Sequence, residues 1–385
     1  MTHRRRYQDT GRGSFFGDLA YERILERYSN HFLVTLEKLF DWEAMSQGMI
    51  RLYKGHGEVG RPPYPPVLIL KMLFLSYLYN VSERAIAELA DLHLLMKWFL
   101  GLAIDERAPD HTTLSVFKER FLAGNNRQVL EALFDDMIQQ AQAHGLQFGE
   151  LQVLDSVHTQ ANVNAEKDRE RQEHGRGPRD PEARVVHKGK RRVTQPDGTT
   201  KTQVIRYKGY KTHVSVNAQT GIITTMVVTR GNRADNKVFP QLRQHDRALN
   251  LPTAAYGGDK AYDDTDIYER LAVENLDIAV TLNDYRTAKK DANHSRWVEL
   301  AADPLYQGRK KQRFRVEQPF GIAKRWHGFE RCRYLGLARY RIQALFTFLV
   351  VNAKRMVKLL TGVVFRPQAK GRRAERLRPA LAATL

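Results

Sequence analysis

From about Tyr21 to Gly145 the apolar positions recur three and four residues apart, in YERILERY, HFLVTLEKLF, PVLILKMLFLSYLY, SERAIAELADLHLLMKWFL and TTLSVFKERFL. That spacing predicts amphipathic helices with few β-branched alternations. GRPPYPP at 60–66 separates two of them and ends on prolines suited to a first helical turn. Ser82, and Asp110 or Thr112, precede helical runs and are expected as N-caps. After Gly145 the period drops to two. LQVLDSV reads as a strand, YKTHVSVN and IITTMVVT as a hairpin around AQTG, and NKVFPQLRQHDRAL as a helix. TAAYGGD then reads as a strand, DIYERLAVEN as a helix and DIAVTL as a strand.

This order predicts an α+β protein: an all-helical N-terminal domain over 21–145, followed over 146–362 by a ribonuclease-H-like mixed α/β domain. In such a domain three antiparallel strands precede alternating helices and parallel strands. The helical domain is a candidate DNA reader, since short helices about a turn can form a helix-turn-helix, although plain packing predicts the same pattern. Three segments fall outside this pattern. Residues 1–20 form a basic N-terminus expected to be disordered, without the apolar core of a secretory signal. Residues 164–208 form a polar, basic insert expected to be mobile without DNA, either a surface hairpin or a DNA-contacting arm. Residues 363–385 are a basic tail.

Charge sharpens the picture. The chain has 62 Lys and Arg against 43 Asp and Glu, a net +19. Between Arg309 and Arg378 lie twenty basic residues against Glu317, Glu330 and Glu375, interleaved with aromatics such as Phe314, Trp326 and Tyr334. Clustered charge of this kind predicts a polyanion partner, nucleic acid before membrane. No apolar stretch is long enough to cross a bilayer, and a cytoplasmic, nucleoid-associated protein is expected. Cys332 is the only cysteine, which excludes an intramolecular disulfide and any multi-cysteine zinc site.

Three separated acids fit a metal-dependent phosphoryl-transfer site. Asp155 and Asp259 close strand-like segments, and Glu317 adjoins a helical one. A single Asp at a strand end is ordinarily a turn or cap residue; three acids in this order of elements are expected to meet at one edge of a sheet. Phosphodiester cleavage uses two divalent ions, and Mg²⁺ prefers oxygen ligands and keeps waters. Asp155 is placed to bridge two Mg²⁺ ions that Asp259 and Glu317 complete, with Mn²⁺ as a substitute. Arg313, Glu317 and Lys324 lie four and seven apart, one stripe of a continuous helix. Pro319 requires that helix to kink or to begin near it with Glu317 at its mouth.

These motifs resemble a DDE-type transposase of a bacterial insertion sequence, in the IS-four and IS-five superfamily with the YREK signature. GRPPYPPVLILKMLFLSYLYNVSERAIAEL is similar to the helical N-terminal domain of that group, GYKTHVSVNAQTGIITTMVVTRGNRADN to its central hairpin and GDKAYDD to its second-Asp motif. Arg313, Glu317 and Lys324 match the signature in register; Lys310 stands at its tyrosine position, with Tyr306 one turn away. The resemblance implies a metal-dependent enzyme that binds the terminal inverted repeats of its own element, cleaves the DNA and transfers it to target DNA. Asp155, Asp259 and Glu317 become the catalytic, metal-binding triad. Arg313 and Lys324 contact end DNA, with Lys260 and Arg325 beside them as further candidate contacts. A homodimer or higher oligomer on double-stranded DNA is expected, because two ends are cut together. Two other readings stand beside this one: a catalytically silent DNA-binding derivative, and a ribonuclease-H-like nuclease without strand transfer.

Overall fold

The computed structural model describes residues 6–54, 60–124, 126–195, 198–283 and 298–365. Helices fill the N-terminal part: Phe15–Arg27, Phe32–Leu39, Trp42–Ser46, Pro66–Leu78, Glu83–Leu92, Leu94–Leu100, His111–Leu122 and Arg127–Ala143. Pro66–Leu78 is at their centre. PVLILKMLFLSYL is apolar on every side, so the helix has no face for water, and all of its residues but Val67 are buried. Its one cation, Lys71, is neutralised by Glu37 at 2.6 Å and lies 5.0 Å from the Phe99 ring centre. Ser82 accepts from the Ala85 N–H at 3.2 Å, and Asp110 rather than Thr112 caps its helix, accepting from the Thr113 N–H at 2.8 Å.

Residues 6–20 depart from the disordered lead-in expected of them. Tyr7 packs edge-on against Tyr53 at 5.5 Å, the Gln8 N–H donates to Pro63 O, and the Gly11 N–H donates to the Glu106 carboxylate at 2.8 Å. The first helix begins at Phe15, capped by Ser14. Phe15 and Phe16 point into solvent, which breaks the apolar period there, so the helix expected over YERILERY begins six residues earlier than its period shows.

One six-stranded sheet follows: β1 (Leu151–Gln160), β2 (Arg184–Thr194), β3 (Thr200–Asn217), β4 (Ile223–Arg230), β5 (Ala255–Gly258) and β6 (Asp277–Val280). β3 pairs antiparallel with β1 and β4, while β1, β5 and β6 are parallel neighbours. The order β4-β3-β1-β5-β6 is the ribonuclease-H-like arrangement. The insert supplies the rest: the helix Ala165–Glu173, β2 and the first half of β3. The insert expected to be mobile thus contains a hairpin, one of the forms expected of it, whose alternation is carried by a few valines, Val185, Val193 and Val204 among them.

The sheet has two covered faces. Leu154, Tyr256, Tyr262 and the helices Phe239–Ala248 and Thr265–Val273 form one core cluster. Val153, Val157 and Val214 belong to a larger one shared with the helix Leu337–Thr361. That helix is buried without interruption from Ile342 to Ala353 and packs on β3 and β4 as well as on Phe32–Leu39, Pro66–Leu78 and Arg127–Ala143. The boundary expected at 145 is therefore a change of secondary structure within one core. The run ALFTFLVV, apolar all round, is the signature of a helix buried between two layers.

Of the tail, residues up to Phe365 are described, and Phe365 packs on Phe32 at 5.1 Å; 366–385 lie outside the described residues. No described helix is long and apolar enough to cross a membrane.

Candidate active site

The register of two short parallel strands brings the first two acids together. β1 and β5 pair through Val153↔Gly257. Two residues further along come Asp155, still within β1, and Asp259, just past the end of β5, both at the carboxyl end of the pair, where ligands of parallel sheets bind. Asp155 shares a face with Val153 and Val157, toward the C-terminal helices, and 20% of its side chain remains exposed. Burial pushes its carboxyl up to about 6; the Ser156 N–H, 2.7 Å from Oδ1, and Arg313 pull it down, while the charges of Asp259 and Asp235 push it further up. A second negative charge beside a partly dry carboxylate disfavours that carboxylate's ionisation.

Asp259 is held by its own loop. It caps the turn Lys260–Tyr262, accepting from the Ala261 N–H at 2.9 Å. Glycine precedes it for a packing reason: a Cβ on Gly258 would come within 2.8 Å of the Tyr262 ring. Tyr262 is buried, its hydroxyl has no hydrogen-bond partner among the described residues, and the charges of Asp235, Asp155 and Asp259 add to the effect of burial in raising its pKa.

Glu317 arrives on a helix start. The chain passes through a tight turn, Gln312–Val316, and the α-helix Glu317–His327 begins at the acid itself. Pro319 falls in the first turn, where its missing N–H costs nothing, so the helix needs no kink. The carboxylate meets the positive end of the helix dipole, and Gly328 closes the helix in the left-handed conformation (φ 65°). Glu317 is 61% exposed; Arg313, one turn before it, reaches Glu317 Oε1 at 3.4 Å and Asp155 Oδ2 at 3.5 Å. A single guanidinium thus stands between two of the three expected triad members.

The other expected residues are distributed around this group. Lys260 is exposed next to Asp259. Lys324 and Arg325 lie two turns along the helix from Glu317, about 10 Å along its axis, Arg325 exposed with its guanidinium 5.1 Å from the Trp326 ring centre. Tyr306 does not stand in for the signature tyrosine: it is buried and donates its hydroxyl to Val280 O at 2.6 Å.

A fourth acid, Asp235, on the loop after β4, escaped the sequence reading. It lies 3.2 Å from Lys211 Nζ and 2.9 Å from His213 Nδ1. Burial opposes its ionisation, but contact with His213 and the Lys211 charge outweigh this and hold the carboxyl down at about 2. The signal available was the period-two spacing of Lys211 and His213 on a strand otherwise buried, which calls for a nearby anion.

Three carboxylates with hard oxygen donors suit Mg²⁺, which takes few protein ligands and keeps waters. A divalent cation beside Asp155 and Asp259 would relieve the repulsion that raises Asp155. Among the described residues no three acid, histidine or cysteine side chains converge closely enough to hold an ion as they stand. Arg313 occupies the space between Asp155 and Glu317, so the donor set fits in chemistry while Glu317 would have to turn from Arg313.

Two family models match this chain. The model of a Transposase domain (DUF772) matches residues 22–120, and that of a Transposase DDE domain matches residues 150–353. Among solved structures, the cryo-EM structure of the piggyBac transposase synaptic complex with hairpin DNA is 9% identical, covering 86% of this chain and 75% of that one at a TM-score of 0.43, a likeness too slight to bear on the site. With more than half of its length matched by the DDE model, the chain belongs to the DDE transposase family.

Proposed function

We propose that this DDE transposase, a metal-dependent enzyme that cuts and joins DNA, acts at the terminal inverted repeats of its own insertion sequence. The observation that carries the reading is the β1–β5 register, which sets Asp155 beside Asp259 at the edge where the Glu317 helix begins. Asp155, Asp259 and Glu317 would hold Mg²⁺, two ions being the number such a triad serves, with Mn²⁺ as a substitute. Bound there, the ions supply activation of the attacking oxygen and neutralisation of the leaving one. Arg313 meets the charge of Asp155 and Glu317 before DNA arrives. Lys324 and Arg325 extend positive charge along the same helix toward the phosphate backbone, and Lys260 does so beside Asp259. Two ends must be processed together, so the working form is a homodimer or higher oligomer on double-stranded DNA.

Strand transfer separates this enzyme from a plain nuclease. Pre-cut end DNA carrying a 3′-hydroxyl, mixed with supercoiled target and Mg²⁺, is expected to give joined product, and the same end with a 3′-deoxy terminus none. Cleavage of ends without joined product from the 3′-hydroxyl substrate would favour a nuclease that stops at hydrolysis.

A further inference from the structure

β3 is 18 residues long, and only 209–217 pairs with β1. The preceding half runs on beyond the sheet as a two-stranded ribbon with β2, from Arg184↔Gly209 to Thr194↔Thr200. Because β3 is antiparallel to β1, the ribbon leaves the sheet where Gln160 faces Gly209, at the carboxyl end of β1. Asp155 lies five residues before that exit on the same strand, so the ribbon projects from the side of the sheet toward which the carboxylates face along β1.

The base of this projection is fixed. Lys208 pairs with Asp168 at 2.7 Å, the Tyr210 hydroxyl donates to buried Asp180 at 2.6 Å, and Glu182 accepts from the Leu337 N–H at 2.9 Å. The ribbon is thereby tied to the helix Ala165–Glu173 and to the start of the long C-terminal helix. Beyond its base it is exposed and cationic: residues 184–208 contain eight Lys or Arg against Asp197 alone. An edge strand needs only a charge or two to discourage pairing with another sheet. Here the charge is on both strands and, by register, on both faces, Arg192 and Arg206 on one and Lys201 on the other. A ribbon basic on both faces suits a polyanion that surrounds it, and the DNA major groove admits a two-stranded β-ribbon.

We propose that the β2–β3 ribbon is a DNA-binding arm that grips the duplex through phosphates to one side of the cleavage position. The proposal rests on the transposase reading above. From Val214, opposite Asp155, to Gly209 is roughly 17 Å of strand, and to Thr200 roughly 45 Å, at about 3.3 Å per residue. At about 3.4 Å per base pair the arm lies against DNA about 5 to 14 base pairs from the scissile phosphate.

The test compares the full-length protein with the variant Arg192→Gln/Lys201→Gln/Arg206→Gln, and with a control that removes two exposed cations outside the arm and outside the basic C-terminal stretch, Arg247→Gln/Arg270→Gln. Binding to end DNA is measured against salt, with phosphate footprinting. The arm variant is expected to lower the slope of log K against log salt by about 3, to lose protections 5 to 14 base pairs from the cut, and to weaken unrelated DNA to the same degree, since phosphate contacts carry no sequence information. The control keeps slope and footprint. Unchanged slope and footprint in the arm variant would overturn the proposal, as would equal losses in the control. A shift in self-association with unchanged DNA affinity would do the same, making the ribbon an interface between copies. Failure of the wild type to cut while the arm variant loses its footprint would sink the catalytic reading and leave the arm standing.

Discussion

His327, at the end of the helix that Glu317 begins, has both ring nitrogens engaged by the core. Nδ1–H donates to Tyr77 O at 2.9 Å, and Nε2 accepts from Lys354 Nζ at 3.1 Å. Burial, then the neighbouring charges of Lys354 and Arg333, drive its pKa down to about 3, so the folded protein holds a neutral imidazole. Between pH 6.5 and 3 the unfolded chain binds a proton here that the folded one refuses, and stability must fall as pH falls through that window, by on the order of 5 kcal/mol. Urea unfolding at pH 7 and pH 4.5 checks it: His327→Asn should show a shallower loss than the wild type, whatever its starting stability, and equal losses would refute the assignment. At this scale strand order and the helix start could be read around Asp155, Asp259 and Glu317, but Asp155 lies within β1 rather than closing it, because the pairing with β3 continues to Gln160. Asp235 and Tyr262 were not legible, since their proximity to the site depends on how the loop after β4 and the turn after β5 fold back, which no local spacing records.

Elements are joined through few but buried polar contacts. Lys118, on the helix His111–Leu122, pairs with Glu83 and lies 3.0 Å from the Tyr334 hydroxyl, which itself donates to Glu83 at 2.8 Å. These groups tie two N-terminal helices to the segment between the Glu317 helix and the last one. Lys118→Met strands a mostly buried carboxylate and should cost about 3 to 5 kcal/mol in chemical denaturation, with part of the loss recovered by adding Glu83→Gln. A cost below about 1 kcal/mol would show the pair to be solvated. Period and caps were sufficient for most elements, but they left open whether the helix at Glu317 kinks at Pro319 or begins beside it, which the Gln312–Val316 turn decides. They were insufficient for Leu337–Thr361, whose apolar run has no polar face to give it a period, and for the β2–β3 ribbon, where charge masks the alternation.

For the molecule as a whole, the last helix makes the N-terminal helices and the sheet one folding unit. Residues 1–145 expressed alone would leave Pro66–Leu78 without its partner, exposing apolar side chains over most of a turn. That fragment should bind hydrophobic dye and lack near-ultraviolet dichroism, whereas a cooperative, dye-free fragment would contradict the shared core. The same continuity holds the Glu317 helix against the last helix and the Gln312–Val316 turn against β1, which brings the third acid near the end of the β1–β5 pair. The most direct test of that catalytic edge is end cleavage in Mg²⁺ of DNA carrying the element's own flanks, wild type against Asp259→Asn, at matched DNA occupancy. Asparagine keeps an oxygen for the Ala261 N–H, so the turn should survive while the charge is lost. The wild type is expected to cut at the repeat boundary and the variant to bind equally but cut at least about 10³-fold more slowly, the order expected when one member of a catalytic unit is removed. Cutting by Asp259→Asn at the wild-type rate would contradict the account.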